Sequence, residues 1–230
     1  MSPIAYQASD DAGMPEKKLH NGDRMNQRDF HKLYEQAVPG YKAELIDGVV
    51  YVAEPVGGQH GLHEFDLTTL AGVYRIFTPG VEGRPNSTVI LNDKDEVQPD
   101  LLLRLLPNYK GQSSTAYKAQ YVAGAPELVA EVADSTRWLD LNKKKHRYKK
   151  AGVIEYLVVS VSPLELHWFD FHARDKIRAG QDGVIRSHVF PGFWIHQEAL
   201  LMRDSKRALE VLYEGLASPE HAKFVESFGP

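Results

Sequence analysis

Residues 127–160, ELVAEVADSTRWLDLNKKKHRYKKAGVIEYLVVS, decide how the rest of the chain is read. The opening ELVAEVA, 127–133, is a short and largely apolar strand. Asp134, Ser135 and Thr136 form a capping cluster, and a strongly basic helix follows to about Ala151. Gly152 stands at the C′ position that ends such a helix. Residues 154–161 are then almost continuously apolar, the pattern of a strand covered on both faces.

Working outward, Asn26 caps a helix to about Ala37, with Phe30, Leu33, Tyr34 and Ala37 as its apolar face. Asp47-Gly48 between two β-rich runs, in AELIDGVVYVAEP, is a two-residue hairpin. A helix is expected over 60–77, and strands over 87–91 and 96–106 with a polar turn between them. Further strands are expected over 164–171 and 184–190. The chain is mainly helical from Gln197, and Ser218-Pro219 opens the last helix as N-cap and N1. The order of elements gives α/β or α+β with a mixed central sheet flanked by helices. Residues 1–24 are expected as a flexible tail, 25–201 as the main domain and 202–230 as a C-terminal helical extension.

Composition narrows the chemistry. The 230 residues are 43% hydrophobic and 25% charged, which suits a packed globular domain. The formal charge is −4, so any nucleic-acid surface must be a local patch. With no cysteine, disulfides, thiolate zinc sites, iron–sulfur clusters and Cys nucleophiles are excluded. No apolar run is long enough to span a bilayer, and the first residues carry no signal-peptide pattern. A soluble cytoplasmic protein with no membrane contact is the expectation. Gly57-Gly58 is no phosphate loop, since no GKS or GKT follows, and Ser160 and Ser162 lack a GxSxG setting.

Three acids stand in odd places. Asp100 sits among apolar residues in VQPDLLL, Glu131 sits inside LVAEVA, and Glu44 opens the hairpin. A carboxylate in a buried strand is costly unless it is paired, hydrogen-bonded or bound to a cation. Two such strands side by side would bring Asp100 and Glu131 to one metal ion, and carboxylate oxygens are what Mg²⁺ prefers. The basic helix supplies the complement. From Arg137 to Lys150, seven cations face the single acid Asp140. Leu141, Lys144, Tyr148 and Ala151 share one helical face, so Lys144 points toward the sheet near Glu131. A partly buried lysine beside metal-bound carboxylates suits the positioning of a water or the steadying of a phosphorane.

Pro99-Asp100 followed by Glu131-Val132-Ala133 resembles the PD-(D/E)XK phosphodiesterase superfamily. The wider run from about Asn26 to Leu201 resembles one family within it, restriction-endonuclease-like proteins formerly labelled a domain of unknown function. The carrying pieces are AELIDGVVYVAEPVGGQH, VQPDLLL, the stretch 127–160 and FPGFWI. The resemblance implies a restriction-endonuclease-like core and Mg²⁺-dependent phosphodiester hydrolysis, with Mn²⁺ as substitute. It implies that Asp100, Glu131 and the Val132 backbone carbonyl hold the metal and that Glu44 is a further acid beside it. The third position of the E-x-K motif is Ala133, so the lysine is relocated and Lys144 takes its role. His60 and Tyr148 would lie near the site, His60 and His63 alone being too few for a zinc centre. Lys143, Lys145, Arg147 and Lys149 would hold flanking phosphates of nucleic acid, double-stranded DNA first, with strong salt dependence.

A DNA endonuclease is therefore the leading expectation. A nucleic-acid-binding or assembly module that keeps the fold without cleavage stands second, motivated by Ala133. A structural protein whose buried acids pair with Lys144 and arginines stands third. A homodimer is expected, with Phe193 and Trp194, taken as exposed, or the C-terminal helices supplying its interface.

Overall fold

The structure is a computed structural model that describes residues 18–55, 57–118 and 120–229. Its first half runs α1 (Gln27–Tyr34), β1 (Ala43–Ile46), β2 (Val49–Val52), α2 (Gly58–Phe77), β3 (Val81–Pro85), β4 (Val89–Asn92), β5 (Asp95–Val97) and β6 (Leu101–Leu105). Then come β7 (Ser114–Ala116), β8 (Tyr121–Ala123), β9 (Leu128–Ala133), α3 (Lys145–Ala151), β10 (Glu155–Ser160), β11 (Glu165–Asp170) and β12 (Asp175–Lys176). The chain closes with β13 (Val184–Arg186), β14 (Trp194–His196), α4 (Gln197–Leu201), α5 (Ser205–Leu216) and α6 (Pro219–Glu226).

The central sheet has the order β12-β11-β10-β9-β6-β3. β9 and β10 run parallel and the other neighbours antiparallel, so the sheet is mixed, as the sequence implies. Period-two alternation sorts β9 onto two faces. Leu128, Ala130 and Val132 join Leu67, Leu70 and Tyr74 of α2 in one core. Val129 and Ala133 join Tyr148 of α3 in a second core on the opposite face. Glu131 lies on that second face, between Val129 and Ala133.

A second sheet, β2-β1-β5-β4-β8-β7, flanks the first. Its β1–β2 hairpin turns at Asp47 (φ 55°) and Gly48 (φ 73°), both left-handed, as a two-residue turn of matching twist requires. The strand expected over 96–106 is broken. Pro99 has no N–H for a ladder, so Gln98, Pro99 and Asp100 carry the chain from β5 to β6, that is, from one sheet to the other. The sequence reading also missed β3, because its Gly83 and Pro85 suit a sheet edge rather than a buried strand.

Two boundaries differ from expectation. Most of the expected tail lies outside the described residues, but its last part does not hang free. Leu19 is buried, its carbonyl accepts the Tyr41 hydroxyl at 2.7 Å, and Gly22 N–H donates to Val50. The stretch after 201 is no appendage either, since Ala208 and Leu212 of α5 lie in the same core as α2. The expected interface at Phe193 and Trp194 is also corrected. Phe193 is fully buried against Tyr74 and Trp168, and the Trp194 ring is covered by Arg186. Among the described residues, no helix is long and apolar enough to cross a membrane.

Candidate active site

The site forms where the two sheets part. Beyond the Leu101–Ala130 pair, β6 and β9 no longer share ladder bonds. There the Asp100 side chain takes over, and its Oδ2 accepts the Val132 N–H at 2.7 Å. The Ala133 carbonyl turns the other way and accepts Val161 N–H at 2.8 Å. Alternation along the strand therefore turns the Val132 carbonyl to the Asp100 side. An open cleft of about 460 Å³ begins here, lined by Glu44, His60, Asp100, Glu131, Asp140 and Lys144.

Lys144 is the hub. Its Nζ stands 2.7 Å from Glu131 Oε1, donates to both Glu44 oxygens at 3.1 Å, and lies 3.8 Å from Asp140 Oδ1. The Tyr148 hydroxyl donates to Glu131 Oε1 at 2.7 Å, and Gln98 N–H donates to Glu44 Oε1 at 2.7 Å. The expected helix is not uniform. Residues Leu139–Lys144 are wound as a π-helix, with Lys145 N–H donating to the Asp140 carbonyl five residues back. Such wide turns recur at functional sites. This one turns Asp140 and Lys144 inward together, and both are buried.

Three carboxylates crowd one ammonium. Burial alone would lower Lys144, but Glu131, Glu44 and Asp140 hold its ammonium charged, well above the ordinary lysine value. Burial pushes Glu131 up, opposed by Lys144 and reinforced by Asp100, Asp140 and Glu44. Burial likewise raises Asp140 to about 6, against the pull of Lys144. One ammonium cannot neutralise the buried acids around it, so Glu131 and Asp140 keep their protons above the ordinary carboxylate range.

The first turn of α2 faces the same floor. His60 Nε2 is 3.2 Å from Asp100 Oδ2, and His60 Nδ1 is 3.7 Å from Glu64 Oε2. Burial opposes a charge on His60, but Asp100 and Glu64 outweigh it and raise the imidazole above its ordinary value. Glu64 accepts from the Asn86 amide, whose Oδ1 accepts from Lys42 at 2.9 Å.

The structure thus brings Glu44, Asp100, Glu131, Lys144, His60 and Tyr148 together. It separates the other expected cations. Arg147 is buried and tied to Asp95 at 2.9 Å and to Asp47 at 2.8 Å, so it clamps α3 to the hairpin sheet and is no phosphate contact. Lys145 and Lys149 lie over the Phe169 and Phe171 rings, away from the cleft lining. Lys143 donates to the Tyr51 hydroxyl at 2.8 Å and so stands at the rim, which Tyr51 lines. Sequence reasoning missed Asp140, Glu64 and Lys42 as lining or neighbouring groups. The usable signal was helical spacing, since Asp140 precedes Lys144 by four and Glu64 follows His60 by four. His63 is buried and takes no part in the His60 group.

A mixed sheet that parts over a buried acidic cluster is the restriction-endonuclease-like arrangement. The chain matches the Uma2 family model, described as "Putative restriction endonuclease", over residues 28–200, and it belongs to that family. The fold is shared with a crystal structure from Anabaena variabilis, described as "a putative nuclease belonging to DUF820". The TM-score is 0.58 at 12% identity, covering 84% of this chain and 99% of the other. No curated protein matches the chain.

Proposed function

We propose that the chain is a divalent-metal-dependent phosphodiesterase acting on DNA. The observation that carries this reading is the surplus of buried carboxylate around Lys144 at the base of an open cleft. Hard oxygen donors with uncompensated negative charge are what Mg²⁺ or Mn²⁺ binds. Asp100, Glu131 and the Val132 carbonyl would hold the ion, with Glu44 beside them.

When bound, the ion supplies Lewis acidity and lowers the pKa of its water. The chain's own groups do the rest. Tyr148 and Lys144 both hold Glu131 at Oε1, which fixes its rotamer. The Val132 N–H fixes Asp100. Lys144 orients the attacking water and offsets charge building on the phosphate oxygens. It reaches Glu131 from the helix, so Ala133 costs the site no cation. Lys42 and Lys143 at the rim meet flanking phosphates, replacing the arginine and outer lysines in that role. Two copies acting together would cut both strands of a duplex.

A plasmid-nicking assay tests this, with wild type beside Asp100→Asn and with Mn²⁺ or Mg²⁺ present or chelated. Nicking that needs the ion and disappears in the variant is expected. Nicking that survives in Asp100→Asn overturns the assignment. Salt-sensitive DNA binding with no nicking selects the binding-module reading instead.

A further inference from the structure

His60, Glu64 and Asp100 each bring one ligand atom within 4.8 Å of the others. Asp100 is the acid assigned above to the ion, and its Oδ2 has His60 Nε2 at 3.2 Å. Neighbouring ligands of a six-coordinate ion with bonds near 2.1 Å stand about 3 Å apart, so this ion-pair spacing also fits two groups on one centre. The other ring nitrogen tells more. His60 Nδ1 is shut off from solvent and makes no hydrogen bond, although Glu64 Oε2 is 3.7 Å away. A ligating histidine characteristically turns its second nitrogen to a carboxylate, which fixes the ring and raises its basicity. Glu64 occupies that position and is itself held by Asn86, which Lys42 holds in turn. The chain Lys42, Asn86, Glu64, His60, Asp100 ends at the metal acid and has one open link, at His60 Nδ1.

We propose that His60 Nε2 is a nitrogen ligand of the ion carried by Asp100, with Glu64 as the positioning residue behind it, so that the centre binds Mn²⁺ in preference to Mg²⁺. The proposal rests on the metal reading of Asp100. Mg²⁺ takes oxygen and water with near-ideal geometry, whereas an imidazole in the ligand set favours transition ions. Closing a metal bond at Nε2 leaves the proton on Nδ1, facing Glu64. A small turn of either side chain then completes the open link.

The test is Mn²⁺ titration of the full chain, read by electron paramagnetic resonance with pulsed detection of nitrogen hyperfine coupling. Bound Mn²⁺ with a nitrogen modulation is expected in wild type, and this readout needs no variant. In His60→Ala the modulation disappears and the Mn²⁺ dissociation constant rises by about ten-fold or more. Glu64→Gln keeps the modulation but weakens Mn²⁺ by about ten-fold, as loss of an outer carboxylate does. Mn²⁺ bound in wild type without nitrogen modulation overturns the proposal and leaves the metal reading of Asp100 standing. So does a modulation that survives in His60→Ala. Mn²⁺ that binds Asp100→Asn as tightly as wild type overturns both. Circular dichroism checks that each variant is folded. His60 lies in the first turn of α2, away from the helix's core residues Leu67, Leu70 and Tyr74.

Discussion

Glu131 and Glu155 lie on neighbouring parallel strands, both deeply buried, and their surroundings could hardly differ more. Glu155 receives four donors. Trp168 Nε1 and the Ser187 hydroxyl reach Oε2 at 2.9 and 2.8 Å, and the His188 and Val189 N–H groups reach Oε1 at 2.6 and 2.9 Å. All four are neutral, and they saturate the carboxylate. Glu131 has one hydroxyl, one shared ammonium and three carboxylate neighbours. The first acid joins β10 to the loop before β14. The second belongs to a cluster whose carboxylates outnumber its one ammonium. Burial alone therefore does not mark a functional acid, and the balance of donors against like charges does.

The strongest way to break this contrast is to neutralise each acid in turn. Glu131→Gln is expected to cut nicking by about 10²-fold or more while changing metal-free stability by no more than about 1 kcal/mol. Glu155→Gln is expected to do the reverse. It costs about 2–3 kcal/mol in urea unfolding, because buried donors lose their acceptor, and the rate per folded molecule stays. Equal losses of activity from both variants would dissolve the distinction.

A smaller effect sharpens it through pH. Asp140 is raised from 3.8 to about 6, so between those values the folded state binds more protons than the unfolded state. Metal-free stability contributed by this group is therefore full at the acid end and falls as pH rises through about 6. The change is at most about 3 kcal/mol. Asp140→Asn is expected to flatten that part of the urea-midpoint profile. Saturating Mn²⁺ should flatten it too, since the ion displaces the protons.

The smallest effect separates rim from clamp. Lys42→Ala is expected to lower the salt slope of DNA binding by about 1 with stability nearly unchanged. Arg147→Ala is expected to leave that slope alone and to cost stability through the unpaired, fully buried Asp95. Filter binding over a salt series reads the first, and thermal melting the second.

Much of this was legible in the chain itself. Apolar runs and Asp47-Gly48 located the hairpin and the central strands, because period and turn chemistry are local properties. Asp100, Glu131 and Lys144 could be singled out because each violates its own element's pattern. Glu155 sits at a strand start, where an acid is ordinary, so nothing set it apart, and its four donors come from distant segments. Arg147 was misread for the same reason. It looks like one cation in a basic run, and its partners lie far earlier, Asp47 by a hundred residues and Asp95 by 52. Asp140 escaped because the π winding that turns it inward leaves no mark in composition.

That π turn has a consequence for chain length. It is an α-helix carrying one residue too many, and each residue of a regular helix contributes a rotation of about 100° and a rise of 1.5 Å. Deleting the exposed Asn142 would restore regular winding and leave Asp140 three residues before Lys144 instead of four, changing their relative rotation and rise about the axis. Every acid and the lysine would survive such a deletion in a residue-by-residue inventory, and the geometry of the cluster would still be changed. Whether a chain of this kind has a working centre is then written partly as an indel, in the spacing between two side chains rather than in their identities.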